Sequence, residues 1–194
     1  MIAALAAADA ALAALDPKPF HLPVQGLEAV VIGAIQGLEP TDWWVPGQRE
    51  RVGAALRGVP VDRLVDPRRG ARPYKVAPCD GSPANRALFA VGLAIATGGP
   101  VLVHLGVGSL SDGAFAEALN VAKLRSAQVV FLVAVHPLGP DAPLPAQSAA
   151  SATALAGAYG IAAVSVDGRS IEAVRVAVVA AREAGGPTVI EAKL

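Results

Sequence analysis

Four short apolar runs in the second half of the chain constrain its fold more than any other feature of the sequence. They cover residues 101–105, 129–135, 163–166 and 188–192. Alanine-rich stretches with helical spacing precede and separate them, at residues 83–96, 113–126, 148–159 and 170–184. Nearly continuous apolar strands that alternate with helices form parallel sheets covered on both faces. The sequence therefore predicts an α/β protein of three layers, with a mostly parallel sheet between helices.

The first 15 residues are predicted to form an alanine-rich helix that lies on a partner or on the domain itself. A secretory signal needs basic residues before its apolar stretch, and here the first basic residue is Lys18. Pro17 and Pro19 are expected to end the helix. We therefore divide the chain into an N-terminal helical arm, residues 1–19, and a domain, residues 20–194.

The region between the arm and the first apolar run is predicted to contain a second helix, a turn, a short helix and a loop. They are assigned to residues 25–38, 41–44, 47–56 and 66–83. Residues 49–86 carry nine basic and four acidic side chains. This basic segment could bind phosphate, or its arginines could pair with the acidic residues of a partner subunit.

Composition excludes several classes of partner. The 16 basic and 16 acidic residues balance, so no field attracts nucleic acid or an acidic membrane surface. No apolar run reaches the roughly 20 residues of a membrane span. The single cysteine, Cys79, rules out an internal disulfide framework and favours a reducing, cytoplasmic location.

The loop after the first apolar run is the candidate ligand site, because ligands of parallel sheets bind beyond the carboxyl ends of the strands. Residues 106–113 read GVGSLSDG. Gly106 and Gly108 let the backbone approach a ligand, and the helix that follows would direct N–H groups at an anion. Ser111 or Asp112 can cap that helix. The spacing matches neither the dinucleotide fingerprint nor the P-loop.

The wider sequence around this loop resembles a known family. Residues 106–122 read GVGSLSDGAFAEALNVA, which resembles the Gly-Asp-Gly … Gly-Ala-Phe-x-Glu-Ala-Leu-Asn signature of the alpha subunits of thiamine-diphosphate-dependent 2-oxo acid dehydrogenases of the pyruvate dehydrogenase type. Further similar stretches are QGLEA with His21 ahead, LEPTDW before Gln48-Arg49, YGIAAVSVDG and GPTVIEA. The resemblance covers about residues 20–194 and implies the pyrophosphate-type domain of the thiamine-diphosphate-binding fold.

The resemblance also implies a reaction and a cofactor. Enzymes of the family decarboxylate a 2-oxo acid and pass the acyl group to a lipoyl carrier. Their cofactor lies between two subunits, and the beta-type partner supplies the glutamate that activates it. Magnesium is held by the aspartate of Gly-Asp-Gly and an asparagine 29 positions later. Those positions are Val107 and His136 here.

Other parts of the family's active centre also differ in this sequence. The phosphate-contacting Tyr-Arg pair corresponds to Gln48-Arg49. The loop between Asp66 and Gly81 is shorter than in the family, and the sequence ends at Leu194, before the family's active-site histidine loop. We therefore expect no catalytic residue, no metal site and no bound cofactor. The remaining cofactor contacts would be vestigial: Arg49, Gly106, Gly108 and Ser109.

Four other side chains have a functional and a structural interpretation. We expect His104 to be a hydrogen-bonded core or interface residue rather than a base, and Cys79 to be inert rather than nucleophilic. Asp80 and Asp112 are the carboxylates near the loop that could replace the lost aspartate.

These observations favour a degenerate 2-oxo acid dehydrogenase alpha-subunit-like protein, a pseudoenzyme that acts as a partner-binding or structural subunit. Its partner would be a second copy or a beta-subunit-like chain. The alternative is an active subunit that uses thiamine diphosphate with magnesium. A third possibility is a small-molecule or nucleotide binder that uses the glycine loop without magnesium.

Overall fold

The computed structural model describes residues 1–15, 22–136 and 148–194. At its centre is a five-stranded sheet with the strand order β1-β2-β3-β5-β4, in which every neighbouring pair is parallel. The strands are β1 Trp43–Val45, β2 Val101–Gly106, β3 Val129–Val135, β4 Ala162–Asp167 and β5 Thr188–Lys193. The four predicted apolar runs are all strands, and the predicted parallel pairing is confirmed.

Helices connect the strands and cover both faces of the sheet. The α-helices are α1 Ile2–Leu15, α2 Glu28–Gly37, α3 Pro83–Thr97, α4 Gly113–Leu124, α5 Ala152–Ala158 and α6 Ile171–Glu183. Shorter 3-10 helices lie at Glu50–Arg57, Val61–Leu64, Arg72–Tyr74 and Val107–Ser111.

The two faces of the sheet bury two separate apolar cores. Successive side chains of a strand point to opposite faces. Leu102 and Leu132 pack with α1, α2 and α6, whereas Val103 and Phe131 pack with α3, α4 and α5. The predicted three-layer architecture is therefore confirmed.

Side-chain caps explain where four of the helices begin. Asp112 Oδ1 accepts a hydrogen bond of 2.9 Å from Ala114 N at the start of α4, so of the two predicted caps Asp112 is the one used. Ser82, Ser151 and Ser170 cap α3, α5 and α6 in the same way. Each cap satisfies a backbone N–H group that has no partner within its helix.

The N-terminal helix is confirmed as α1, and it lies on the domain. Leu5 and Leu12 are fully buried in the core shared with α2. Pro17, Pro19 and His21, and the proline-rich stretch 137–145, lie outside the described residues. The division of the chain at residue 19 stays a prediction. In the described ranges, no helix is long and apolar enough to cross a bilayer.

The sequence prediction was wrong in the region before α3. Residues 43 and 44 were predicted as part of a turn, but Trp43 and Trp44 pair with Val101 and Leu102 of β2. Trp44 also exchanges backbone hydrogen bonds with the stretch that was predicted as a loop, through Lys75 O and Ala77 N. A strand of three residues has no periodicity to detect, and its partners are remote in sequence. The short helix predicted at 47–56 is the 3-10 helix Glu50–Arg57.

Candidate functional site

The carboxyl ends of β2 and β3 bring Val107 and His136, the positions at which the resemblance implies metal ligands, to one edge of the sheet. Gly106 of β2 is in register with Ala134 of β3, so Val107 and His136 follow neighbouring strand ends. Val45 of β1 pairs with Val103 of β2, which places Gln48 and Arg49 beyond the same edge. The site expected from the sequence is therefore assembled on one side of the fold.

The residues present do not fit a magnesium ion. Mg²⁺ requires hard oxygen ligands in near-octahedral geometry. Val107 is 5% exposed and packs in the core on the α3 side of the sheet, together with Leu105 and Leu110. The isopropyl group of Val107 offers no oxygen ligand. His136 is exposed, and its imidazole has no oxygen atom either. Within residues 1–15, 22–136 and 148–194, no three His, Cys, Asp or Glu side chains form a group that could hold a metal.

The glycine loop was expected to lead directly into an α-helix whose first N–H groups face an anion, and the structure differs. Residues Val107–Ser111 form a 3-10 helix, and α4 begins only after Asp112. Ser111 Oγ donates a hydrogen bond to Gly108 O, which ties this turn to itself. The N–H groups of Gly108 and Ser109 therefore belong to a 3-10 turn rather than to the first turn of α4.

Two features of the loop remain compatible with a ligand. A Cβ added at Gly106 would meet no atom of the described residues within 4 Å, so the end of β2 borders open space. The Ser109 hydroxyl is buried and has no hydrogen-bond partner among the described residues. A buried polar atom without a partner carries a desolvation cost, which a bound group could relieve.

Arg49, the candidate phosphate contact, is directed toward the backbone of the chain. Its Nε donates to Pro23 O at 2.9 Å and its Nη2 to Gln25 O at 2.6 Å. These bonds attach the start of the 3-10 helix Glu50–Arg57 to the segment before α2. The geometry thus offers a structural role for Arg49 besides the expected phosphate contact.

Sequence reasoning missed a pair of buried charged residues beside this edge, Glu50 and Arg86. A Cβ added at Gly47 would collide with the Glu50 carboxylate and lie 3.3 Å from Arg86 Nη2, so all three residues are close together. Burial raises the pKa of Glu50, and the charge of Arg86 opposes that shift. The signal was an arginine within the apolar helix 83–96.

The Arg86 guanidinium also holds the segment before α3. Its Nη1 donates to Cys79 O at 3.4 Å and to Gly81 O at 3.1 Å. Burial lowers the pKa of Arg86, and Glu50 is the main charge that opposes this shift. Glu50 and Arg86 therefore stabilise each other in a site where either charge alone would be costly.

His104 is a core residue, as expected, but its Nε2 has no hydrogen-bond partner among the described residues. Its ring meets the Trp44 ring edge-on, with centroids 5.6 Å apart and an angle of 79°. Burial, assisted by the charge of Arg86, lowers the pKa of His104 to about 3. The imidazole is thus neutral at physiological pH.

The thiol and the two alternative carboxylates are not brought together as a site. Cys79 is buried, and burial raises the pKa of its thiol to about 11, which agrees with the inert interpretation. Asp112 is committed to capping α4. Asp80 is exposed, and the charge of this carboxylate acts on Arg86.

Comparison with known proteins identifies the relatives of this chain. A family profile described as the dehydrogenase E1 component matches residues 95–194. The 3-methyl-2-oxobutanoate dehydrogenase subunit alpha of Mycobacterium tuberculosis (strain CDC 1551 / Oshkosh) is 32% identical over 189 residues, covering 89% of this chain and 52% of the relative. The pyruvate dehydrogenase E1 component subunit alpha of Acholeplasma laidlawii is 30% identical, covering 89% and 55%. The chain spans about half the length of the curated relatives it matches.

A solved structure with the same fold supports the architecture. Transketolase from Campylobacter jejuni subsp. jejuni NCTC 11168 superimposes with a TM-score of 0.74 at 17% identity, covering 99% of this chain and 36% of that protein. At this identity the similarity concerns the fold alone, and it agrees with the fold class that the sequence predicted. Since the family profile covers more than half of the sequence and the relatives agree with it, the chain belongs to the dehydrogenase E1 component family.

Proposed function

We propose that this protein is a degenerate alpha-subunit-like member of the family that lacks its own magnesium and thiamine diphosphate site. It would act as a partner-binding or structural subunit rather than as a decarboxylase. The observation that carries the proposal is the environment of Val107, an apolar side chain packed into the core where the family's aspartate would face a metal.

Replacement of that aspartate by valine does more than remove a metal ligand. A carboxylate at this position would have to leave the core and be solvated or coordinated, whereas valine is stabilised by burial. The residues that surround position 107 are apolar as well, because Leu105 and Leu110 belong to the same core as Val107. Recovery of the site would therefore require repacking as well as a change of one residue.

The buried pair beside the site supports the same proposal. Glu50 and Arg86 balance each other's charge, and Arg86 also binds two backbone carbonyls. Arg49 uses two of its donors on backbone oxygens. The positive charges at this edge thus have partners within the protein, which leaves less attraction for a pyrophosphate.

The alternative is an active subunit of a thiamine-diphosphate-dependent 2-oxo acid dehydrogenase. The open space at Gly106 and the buried Ser109 hydroxyl favour it, because both would suit a group bound at the end of β2. An enzyme of this kind would need a second chain, since the resemblance places the cofactor between two subunits.

Calorimetric titration of thiamine diphosphate into the pure chain, with and without magnesium, separates these functions. We expect a dissociation constant no tighter than about millimolar and no dependence on magnesium. Micromolar binding that requires magnesium would overturn the proposal. The titration is repeated with any partner that co-purifies, because the site could be shared between chains.

A paired variant provides the matched control for the titration. Val107→Asp with His136→Asn restores the oxygen ligands of the family signature. If the rest of the pocket still accepts the cofactor, this variant gains magnesium-dependent binding while the natural chain shows none. Burial of a carboxylate at position 107 costs a few kcal/mol when no ion binds, so the variant should also be less stable without magnesium.

For association we propose a homodimer or a complex with a beta-subunit-like chain, and for location the cytoplasm. The relatives named as alpha subunits support association, and the single, buried Cys79 supports a reducing compartment. Light scattering on the pure chain and affinity capture from its host test the proposed association. Cell fractionation tests the proposed location, and recovery from an extracytoplasmic fraction would contradict it.

A further inference from the structure

We propose that β4 and α6 form a self-association surface, through which two copies of this chain join their sheets edge to edge about a twofold axis. This inference rests on the partner-binding part of the proposed function and names its partner and its surface. It can be tested separately from the cofactor proposal, because the proposed cofactor site lies at the carboxyl ends of β2 and β3, away from β4.

The outer edge of β4 is the first observation. This strand is the last in the sheet order and pairs with β5 alone, so no described segment pairs with its other edge. Half of its backbone N–H and C=O groups therefore point away from the sheet. Natural proteins usually protect such edges with lysine, proline or a bulge. The strand reads AAVSVD: it contains no proline, and its one charged residue is Asp167 at its end.

An apolar groove lies beside this edge. It has a volume of about 420 Å³, is open to solvent and runs between β4 and α6. Val164 on the strand is 42% exposed and Val176 on the helix is 51% exposed. The rest of its lining is mostly alanine. Apolar surface that is exposed to water is stabilised when a partner covers it.

A second copy satisfies both features at once. The free backbone groups of β4 require another strand, and the groove requires an apolar partner beside that strand. A twofold axis perpendicular to the sheet would place the two β4 strands antiparallel and bring the two α6 helices together above the joint. Ala173 and Ala180 of α6, and Ala184 directly after it, would let those helices approach closely. Dimers of this symmetry are the commonest protein oligomers.

The charges at this surface permit two identical faces to meet. The net charge of the whole chain is zero, so two copies do not repel each other at long range. Near the groove, Glu172 and Arg175 form an ion pair within α6, with Arg175 Nη2 2.6 Å from Glu172 Oε1. This pair is therefore already neutralised. Asp167 at the end of β4 and Glu183 at the end of α6 are exposed as well, and the antiparallel arrangement places the two copies of each residue at opposite ends of the joint.

The surface differs from the one that the sequence suggested for association. The sequence allowed the alanine-rich N-terminal helix to lie on a partner, and the adjacent Trp43 and Trp44 are a further apolar feature. Trp44 is fully buried against β2, and the leucines Leu5 and Leu12 are fully buried within the domain. These residues stabilise the fold of one copy, whereas the exposed valines of β4 and α6 remain available for a second.

Sedimentation equilibrium of the full chain tests the proposal with two variants and a control. Val164→Lys and Val176→Glu each introduce a charge at the groove, and Leu124→Lys does so on α4, where Leu124 is 74% exposed. We expect the natural chain to dimerise and each groove variant to raise the dissociation constant at least about tenfold, with less than about a twofold change for the control. Natural chain that stays monomeric at about 100 µM, or a dimer indifferent to both groove variants, would overturn the proposal.

Amide hydrogen exchange provides a second test that needs no variant. If copies pair through β4, the amides of residues 162–167 that do not donate to β5 exchange more slowly as the protein concentration is raised, and only these amides are compared. Strong protection that is equal at low and high concentration would mean that another part of the same chain covers the edge, and the proposal would be wrong. Fast exchange at every concentration would equally contradict it, because the edge would then have no partner.

Discussion

The Arg182 guanidinium of α6 forms an ion pair with the Asp42 carboxylate in the turn before β1, with Nε 3.4 Å from Oδ2. The same carboxylate oxygen accepts a hydrogen bond of 2.8 Å from Glu39 N, which closes the turn. Arg182 Nη2 also lies 3.2 Å from Glu39 Oε1. The Leu-x-Pro-x-Asp stretch that resembles the family is thus a structural connection between the start of the sheet and a helix near the other end of the chain.

Replacement of Asp42 should therefore destabilise the fold. Asp42→Ala leaves Arg182 and Glu39 N without their partner in a largely buried place, and we expect a loss of about 2 to 3 kcal/mol in the free energy of unfolding. Glu39→Ala is the matched control, because Glu39 is well exposed and its ion pair should contribute less than about 1 kcal/mol. Urea unfolding followed by circular dichroism measures both. Equal losses for the two variants would contradict this role of Asp42.

The buried pair Glu50 and Arg86 leads to a second prediction. Arg86→Met leaves the Glu50 carboxylate without its compensating charge and two carbonyls without their donor, so we expect a loss of about 3 to 5 kcal/mol. In the double variant with Glu50→Gln, part of that stability should return. Arg68→Met, at an exposed arginine, should have almost no effect. A double variant that is as unstable as the sum of the single changes would show that the two residues do not interact.

The third prediction concerns His104 and pH. Its pKa falls from 6.5 to about 3 in the folded protein, so the unfolded chain binds a proton at a higher pH than the native chain does. The stability from the neutral imidazole is fully present above about pH 6.5 and is lost as the pH falls toward 3. Between those limits the slope from this group approaches about 1.4 kcal/mol per pH unit.

Urea unfolding of His104→Gln and of the natural chain between pH 7 and pH 5 isolates this contribution. The variant should lose less stability over that interval than the natural chain, because the titrating group is absent. Leu124→Gln changes an exposed side chain that binds no proton and should keep the natural pH dependence. Parallel pH curves for the natural chain and His104→Gln would refute the assignment. Other buried groups, Glu50 among them, contribute equally to both proteins and cancel in the comparison.

The fourth prediction is that Cys79 is unreactive in the folded protein. Burial raises the pKa of its thiol to about 11, so little thiolate is present at pH 8 and reagents reach it poorly. Reaction with a disulfide reagent should be at least about a hundredfold slower in buffer than in denaturant. Since the chain has one cysteine, the unfolded protein is its own reference. Rapid labelling in buffer, with the circular dichroism spectrum unchanged, would show an accessible thiolate.

The strands β2, β3, β4 and β5 and most of the helices were predictable from the sequence alone, because their cause is local. Continuous apolar runs such as residues 129–135 can be stabilised only inside a sheet that is covered on both faces. Serine and aspartate before a helix mark its start, as Ser170 does for α6. That Val107 and His136, where the resemblance implies metal ligands, carry no side-chain oxygen was also readable from residue types alone.

Tertiary structure decided the rest, since it depends on which distant segments meet. Trp43–Val45 is a strand because β2 and residue 75 supply its hydrogen-bond partners, which no local pattern specifies. Arg86 lies in an otherwise apolar helix, and only the fold places it beside Glu50. The core around Val107 and the open edge of β4 follow from strand order, and strand order is set by the packing of the whole chain. The sequence thus determined the elements and the residue types at the expected site, whereas their placement, which governs burial and charge there, came from the tertiary structure.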